Sequence, residues 1–399
     1  MGERVASTWT GVVVTARAIP PVAIVGIGET PPVRRSDKDV RTLVIDACLA
    51  ALEDAGIEPE EVDGVVSDSL IMPASVPRDY LAAQLGMSPT FEATQSLGGA
   101  GIVCGPNQAA AAIASGHASV VLCYFGVDWG TRASGPYGFH DIYPAKLAFE
   151  KPYGFNAQPV YFALWARRYM REYGLTPKQL ASIAIDQRNH ALLNGNGQTK
   201  KPLDFETYEA SRIIADPLRQ ADCCLITDGA GAYVMTSMER ARDCRHRPIT
   251  VLGTGFGSAP FTGDSVFTQN PDQLVLPGAR QATEHAFAEA GITHNDVDFL
   301  ELYDCFSISC LMQIEDMGFC AKGDVGAFVE EGNVRLGGKL PVNTHGGLMS
   351  YSYRLGIEHV TEAVRQLRGD SGDAQVADAE IGVISGLSIP DFGVMVLGR

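Results

Sequence analysis

Residues 54–63 read Asp-Ala-Gly-Ile-Glu-Pro-Glu-Glu-Val-Asp, and residues 289–298 read Glu-Ala-Gly-Ile-Thr-His-Asn-Asp-Val-Asp. The two stretches keep alanine, glycine, isoleucine, valine and aspartate at one fixed offset. The first stretch ends a predicted helix over residues 39–55 and opens a strand at Val62, an order typical of an α/β sheet. A unit that returns in this way predicts a fold built twice on one plan.

The sequence around this repeat is duplicated as well. The apolar run at 22–28 has a counterpart at 251–255, and each half later contains a double glycine, Gly98-Gly99 and Gly346-Gly347. A helical segment and an apolar strand follow each double glycine. We therefore predict two similar halves, residues 1–248 and 249–399, around a pseudo-twofold axis. The first starts at about residue 20 after a frayed leader and carries an aromatic-rich insertion at about 126–222.

Composition restricts the function classes. The chain has 399 residues, 46% of them hydrophobic, which is enough for a large core. Its 31 basic and 47 acidic residues give a net charge of −16, which argues against nucleic-acid binding. Nine cysteines without a C-x-x-C pair indicate reduced thiols in a cytoplasmic protein. No apolar run is long enough to span a bilayer, and no histidine spacing suggests a metal site.

Aromatic residues in the insertion form a stripe. Four of them are spaced by four on a predicted helix that ends at Gly174, namely Tyr161, Trp165, Tyr169 and Tyr173. Such a stripe forms one face of a helix. Two interpretations remain open, a packing face inside the protein and a wall for a large, flat, apolar ligand.

These motifs together resemble the thiolase superfamily. The resemblance rests on the duplication, the double glycines, Thr-Asp-Gly-Ala-Gly-Ala at 227–232 and Asn-x-x-Gly-Gly at 343–347. It covers nearly the whole chain and is closest to sterol-carrier-protein-type thiolases, whose His-Asp-Cys-Phe-Ser motif is matched by Tyr-Asp-Cys-Phe-Ser at 303–307. It implies an α/β thiolase fold of two duplicated halves in a layered αβαβα arrangement, coenzyme A thioester chemistry and a dimer.

The departures from the thiolase motifs change the expected chemistry. The nucleophilic cysteine of the family falls on Gly99 or Gly98, and its second cysteine falls near Ser385-Gly386. Tyr353 replaces the histidine of the Gly-His-Pro motif, and Tyr303 replaces the Asn or His of the other motif. An acyl-enzyme cannot form at a glycine, so carbon–carbon bond chemistry next to a thioester is favoured over acyl transfer.

This pattern is similar to the thiolase-fold aldolases of steroid side-chain degradation, often labelled lipid-transfer proteins, in which two tyrosines are the proposed acid and base. The resemblance implies retro-aldol cleavage of a 17-hydroxy steroid with a C20 carboxyl-coenzyme A group to a 17-ketosteroid and propanoyl-coenzyme A. The thioester belongs to the substrate, so no cofactor is expected. The resemblance also implies a homodimer core and a small zinc-ribbon and OB-fold partner that binds acyl-coenzyme A.

The predicted site follows from these motifs. Tyr303 and Tyr353 are the predicted acid/base pair, and His345 and Asp304 are further catalytic candidates. The predicted substrate-binding residues are Gly98, Gly99, Asn343, Gly346 and Gly347. Asp304 and Asn343 have an alternative role in holding loops. Two other functions stay open: a thiolase or acyltransferase that uses Cys104 or Cys305, and a non-catalytic protein that binds acyl-coenzyme A or lipid.

Overall fold

The computed structural model describes residues 21–68, 76–95, 97–133, 135, 144–155, 157–258, 274–276 and 278–399. The predicted leader and three insertion aromatics, at 137, 139 and 143, lie outside these residues. The strands are β1 (Val22–Glu29), β2 (Gly64–Asp68), β3 (Phe91–Gln95), β4 (Val120–Asp128), β5 (Ile213–Ala215), β6 (Leu218–Arg219), β7 (Asp228–Ser237), β8 (Ile249–Ser258), β9 (Phe299–Glu301), β10 (Ile381–Ser388) and β11 (Asp391–Gly398). The helices are α1 (Val40–Ala55), α2 (Arg78–Leu85), α3 (Gly99–Ala114), α4 (Pro144–Phe149), α5 (Gln158–Tyr173), α6 (Pro177–Asn194), α7 (Phe205–Ala210), α8 (Met238–Ala241), α9 (Ala279–Ala290), α10 (Ser307–Asp316), α11 (Val325–Glu330), α12 (Gly347–Ser350) and α13 (Ile357–Arg368).

The strands show the duplication directly. Nine of them form one sheet in the order β3-β2-β4-β7-β1-β8-β11-β10-β9. At its centre β1 pairs antiparallel with β8, with Val22 opposite Val251. Outward from this pair, the first half runs β1, β7, β4, β2, β3 and the second runs β8, β11, β10, β9. An isolated parallel bridge joins Val342 to Leu300 of β9, in the place of a fifth strand. The predicted duplicated fold is confirmed.

The helices form layers around the two half-sheets. Helix α1 packs on β1, β4 and β7, and α9 packs on β8 and β11. By contrast, α3 and α13 pack against strands of both halves. The central helices therefore lie between the half-sheets and the other two lie outside them, which is the predicted αβαβα arrangement.

The repeated residues perform the same structural task in each half. Gly56 and Gly291 end α1 and α9 in the left-handed conformation, with φ of 71° and 69°, which favours glycine. The Asp63 carboxylate accepts hydrogen bonds of 2.8 Å from the backbone N–H groups of residues 119 and 120, where β4 begins. Asp298 accepts equivalent bonds of 2.8 Å from residues 380 and 381, where β10 begins. The repeat therefore encodes one helix end and one strand start per half.

The insertion lies between β4 and β7 and contains α4 to α7. In α5, Tyr161, Trp165 and Tyr169 are buried, while Tyr173 is 38% exposed. The Tyr169 hydroxyl donates a hydrogen bond to Glu315 of α10. The first three rings of the stripe therefore form a packing face.

Two further features concern the cysteines and the helices. All nine cysteines lie in the described part of the chain, and none of them forms a disulfide bond. Among the described helices, none combines the length and the apolar character needed to cross a membrane.

Candidate active site

Two loops bring Tyr303 and Tyr353 together. Tyr303 lies between β9 and α10, and Tyr353 lies between α12 and α13. Their hydroxyl oxygens are 2.7 Å apart, a hydrogen-bonding distance. The two rings meet edge to face, with centroids 6.2 Å apart and an interplanar angle of 71°. The structure thus joins in one pair two residues that were predicted from separate motifs.

The backbone of Tyr303 is held by two polar side chains. Its N–H donates to Ser385 Oγ (3.2 Å), and its carbonyl accepts from Gln313 Nε2 (2.8 Å). Ser385 Oγ in turn donates to Gln313 Oε1 at 2.6 Å. Ser385 stands near the position of the second thiolase cysteine, so in this chain that position fixes a tyrosine. Neither Ser385 nor Gln313 was predicted as a site residue.

Tyr353 is held by residues of the first half. Its N–H donates to Thr227 Oγ1 at 2.9 Å, and its ring packs on Trp129 with centroids 4.4 Å apart. Thr227 is the first residue of the Thr-Asp-Gly motif, so this motif could have identified it as a site residue. Trp129 is one of many aromatics in the insertion, and nothing in the sequence distinguishes it.

Gly99 lies directly against the ring of Tyr303. A Cβ atom at Gly99 would be 2.3 Å from Tyr303 Cε2 and 2.7 Å from the carbonyl oxygen of Leu387, both too close for a real contact. The preceding residue, Gly98, is the N-cap of α3 and has a φ of 57°. The Tyr303 ring therefore fills the space that a side chain at position 99 would need, including that of a nucleophilic cysteine.

Burial controls the protonation of the two phenols. Tyr303 is 5% exposed and Tyr353 is 8% exposed. Burial raises the pKa of both hydroxyls well above the ordinary value, because an anion is disfavoured away from water. Both tyrosines are therefore neutral near pH 7. The pair can donate a hydrogen bond and can pass a proton from one oxygen to the other.

The turn at 343–347 is fixed to the strand that precedes Tyr303. Asn343, with φ of 52°, accepts from Leu302 N–H through Oδ1 (2.6 Å) and donates to the Leu302 carbonyl through Nδ2 (3.0 Å). A Cβ at Gly346 would lie 2.4 Å from Ala191 of α6. Asn343 and Gly346 thus help to hold the backbone of the site in place. Their contact with substrate stays a prediction.

Asp304 joins the loop of Tyr303 to the glycine turn. Its buried carboxylate accepts from the backbone N–H groups of Leu348 (2.9 Å) and Met349 (3.3 Å). A Cβ at Gly347 would lie 2.3 Å from Asp304 Oδ2, so a glycine is needed there. Asp304 thus has a positioning role, and its direct catalytic role stays a prediction.

His345 lies in a buried polar cluster. Its Nδ1 is 3.0 Å from Glu301 Oε2. Its ring meets those of Tyr351 and His359 edge to face, with centroids 4.9 Å and 5.2 Å away. Tyr351 in turn donates to Glu29 at 3.0 Å. The role of His345 in proton transfer stays a prediction.

The two cysteines of the acyltransferase alternative lie inside the protein. Cys104 and Cys305 are both buried. Burial raises the pKa of Cys305 to about 12, so its thiol is protonated at neutral pH. Cys104 Sγ lies against β11, where a Cβ at Gly393 would be 2.7 Å away. The Cys305 thiol therefore lacks the environment that activates a catalytic cysteine.

Comparison with known proteins supports the family that the motifs predict. The family described as "Thiolase C-terminal domain-like" matches residues 261–399. The chain is 34% identical over 382 residues to the steroid side-chain-cleaving aldolase of Thermomonospora curvata, covering 94% of this chain and 97% of that protein. It is also 34% identical over 382 residues to the 17-hydroxy-3-oxo-4-pregnene-20-carboxyl-CoA lyase of Mycobacterium tuberculosis, covering 94% and 98%.

A solved structure is similar along nearly the whole chain. It is the "Ltp2-ChsH2(DUF35) aldolase", which superposes with a TM-score of 0.88 at 32% identity and covers 96% of this chain and 98% of that one.

Proposed function

Because this chain belongs to the thiolase superfamily, in the group that contains the steroid side-chain-cleaving aldolases, we propose that it is a carbon–carbon lyase that cleaves a β-hydroxyacyl-coenzyme A steroid by a retro-aldol reaction. The substrate is of the 17-hydroxy-3-oxo-4-pregnene-20-carboxyl-CoA type, as for the mycobacterial relative. The products are a 17-ketosteroid and propanoyl-coenzyme A. The coenzyme enters as part of the substrate, and the reaction needs no cofactor.

In this reaction the 17-hydroxyl of the substrate loses one proton and the enolate carbon gains one. The 17-hydroxyl loses its proton, the C17–C20 bond breaks, and C17 becomes a ketone. The electron pair of that bond moves into the thioester and forms an enolate, which is then protonated at C20 to give propanoyl-coenzyme A. The proton count therefore balances without an external acid or base.

The observation that carries this proposal is the hydrogen bond of 2.7 Å between Tyr303 and Tyr353 beside Gly99. Because both phenols are neutral, a standing phenolate is not the base. One tyrosine accepts the hydroxyl proton while it passes its own proton to the other, which delivers a proton to the enolate. Such positioned proton transfer contributes on the order of 10²–10⁴-fold in rate. A phenol directed at the thioester oxygen also stabilises the enolate.

The proposal includes a complex. We expect a homodimer core in the cytoplasm and a small zinc-ribbon and OB-fold partner that binds acyl-coenzyme A. Strand β3 lies at one edge of the sheet, and no strand among the described residues pairs with its outer side. This unpaired edge supports association with another chain. The similarity to a solved structure whose name joins Ltp2 to ChsH2 supports a partner protein. Light scattering on the purified chain, alone and with the partner, tests both expectations, and a monomer that binds no partner would contradict them.

The activity is tested with the 17-hydroxy steroid thioester and the chain together with its partner. Mass spectrometry should detect propanoyl-coenzyme A, and in D₂O this product should carry one deuterium at the carbon next to the carbonyl. Tyr303→Phe and Tyr353→Phe should each reduce kcat by about 10²-fold or more. Tyr351→Phe is the matched control, because its hydroxyl contacts Glu29 and lies outside the pair.

Each alternative predicts a different outcome. Equal rates for wild type, Tyr303→Phe and Tyr353→Phe would refute the tyrosine mechanism. An acylated cysteine after treatment with acetyl-coenzyme A would indicate an acyltransferase. Tight binding of the thioester without any product would indicate a non-catalytic binding protein.

A further inference from the structure

Three fully buried side chains converge in the cluster that contains His345. Glu301, His345 and His359 each offer one ligand atom, and these atoms lie within 4.8 Å of one another. Glu301 Oε2 is 3.0 Å from His345 Nδ1 and 3.4 Å from His359 Nδ1. Two ligands of a tetrahedral zinc ion are about 3.3 Å apart, since each lies about 2 Å from the metal. The three atoms thus have the spacing of a small metal site.

Neighbouring groups orient these ligands. The other oxygen of Glu301, Oε1, accepts from Thr344 N–H (3.0 Å) and from Thr344 Oγ1 (2.7 Å), which leaves Oε2 directed at the histidines. The far nitrogen of His359, Nε2, lies 3.3 Å from Asp304 Oδ1. A carboxylate behind the non-ligating nitrogen is the usual arrangement of a metal-binding histidine.

Three of the four ring nitrogens of the two histidines lack hydrogen-bond partners, and only His359 Nδ1 is paired, with Glu301 Oε2 at 3.4 Å. Neither ring nitrogen of His345 forms a hydrogen bond of acceptable geometry, although the side chain is fully buried, and the same is true of His359 Nε2. An unsatisfied buried polar nitrogen is costly. A metal ion would satisfy His345 Nδ1 through its lone pair.

The cluster also contains several buried carboxylates. Glu301, Asp304 and Glu362 are all fully buried around the two histidines. Glu362 Oε2 has no hydrogen-bond partner. Its nearest guanidinium, that of Arg365, lies 3.6 Å away. Several carboxylates in one buried cluster are unfavourable unless cations compensate for them.

We propose that Glu301, His345 and His359 bind a divalent transition metal ion of the zinc type, with one enclosed water molecule as the fourth ligand. The ion would join the end of β9, the glycine turn and the first turn of α13. Tyr303 follows the first of these segments and Tyr353 precedes the last, so the ion acts as a structural link behind the pair. This site was not predicted from the sequence, because residues 301, 345 and 359 lack the close spacing of familiar zinc motifs.

The metal content of the purified chain tests this proposal. The full-length chain is produced without a polyhistidine tag in medium that contains Zn²⁺ or Co²⁺, and bound metal is measured by plasma mass spectrometry. We expect about one metal ion per wild-type chain and near-complete loss in His345→Gln and His359→Gln. His190→Gln is the matched control, a buried histidine with partners at Asn343 and Leu336, and it should keep the metal.

Two results would overturn the proposal. One is a wild-type chain that stays metal-free after incubation with Zn²⁺ and desalting. The other is equal metal content in wild type, His345→Gln and His359→Gln. If these variants fail to fold, anomalous diffraction from crystals of the Co²⁺-grown wild type decides the question. A peak among Glu301, His345 and His359 supports the site, and its absence refutes it.

Discussion

Replacement of Gly99 by alanine tests whether the ring of Tyr303 fills the space that a side chain at position 99 would need. The new Cβ atom would lie 2.3 Å from Tyr303 Cε2, 2.5 Å from Cζ and 2.7 Å from the carbonyl oxygen of Leu387. Either the ring or the backbone must move. Overpacking of this kind destabilises proteins by about 1–3 kcal/mol. We expect Gly99→Ala to lower the free energy of unfolding by this amount and to displace the Tyr303 hydroxyl, with loss of activity.

A double-mutant cycle separates the ring contact from the backbone contact. Tyr303→Ala removes the ring, so Gly99→Ala should cost less in that background, with a coupling energy of about 1 kcal/mol or more. Tyr303→Phe keeps the ring and serves as the control, in which the cost of Gly99→Ala should be unchanged. The contact with Leu387 remains in every background and sets the residual cost.

Urea unfolding followed by circular dichroism measures these free energies. Independent sites are additive within about 0.5 kcal/mol. If Gly99→Ala cost the same in the wild-type and Tyr303→Ala backgrounds within that margin, the ring would not be the group that excludes a side chain at position 99. The account of the missing nucleophile would then be wrong.

Three further predictions concern the surroundings of the pair. Burial would raise the pKa of Glu29, but Arg354 and Arg365 outweigh it and hold the pKa well below the ordinary 4.5. This carboxylate therefore stabilises the fold above about pH 4.5, and the stabilisation is lost as the pH falls further, because the unfolded chain binds the proton first. Urea midpoints should fall on acidification less steeply in Glu29→Gln than in wild type, and parallel slopes would contradict this. Iodoacetamide at pH 7.5 should leave Cys305 unlabelled in the folded chain and label it after denaturation, as measured by peptide mass spectrometry. Rapid labelling of the folded chain would instead favour the acyltransferase alternative. Asp304→Asn should destabilise the fold by about 1–3 kcal/mol, because one amide oxygen replaces two carboxylate oxygens as acceptors at the start of α12. An unchanged urea midpoint with a large loss of kcat would instead indicate that Asp304 acts directly in catalysis.

Much of the fold could be predicted because the repeat places the same residue types at the same helix and strand ends in both halves. Gly56 and Gly291 end helices through their own conformation, and Asp63 and Asp298 bind the start of the strand that lies beside them. Such interactions require a particular residue type at a fixed position in each half of the sequence. Tyr303 and Tyr353 could be predicted for a related reason, since each replaces a residue within a recognisable motif.

The rest of the site depends on contacts between distant segments. Trp129 packs on Tyr353 from the insertion, and Ser385 holds Tyr303 from β10. No periodicity or spacing identifies such residues, because each contact joins segments far apart in the sequence and exists only in the folded chain. The grouping of His345 with Glu301 and His359 was hidden for the same reason.

The fit of Tyr303 against Gly99 also bears on any attempt to redesign the chain as an acyltransferase. In the present arrangement, a cysteine side chain at position 99 and the ring of Tyr303 compete for one volume. A Gly99→Cys substitution alone would therefore displace the ring instead of adding a thiol beside it. A design that places a thiol at this position needs a second substitution that makes residue 303 smaller.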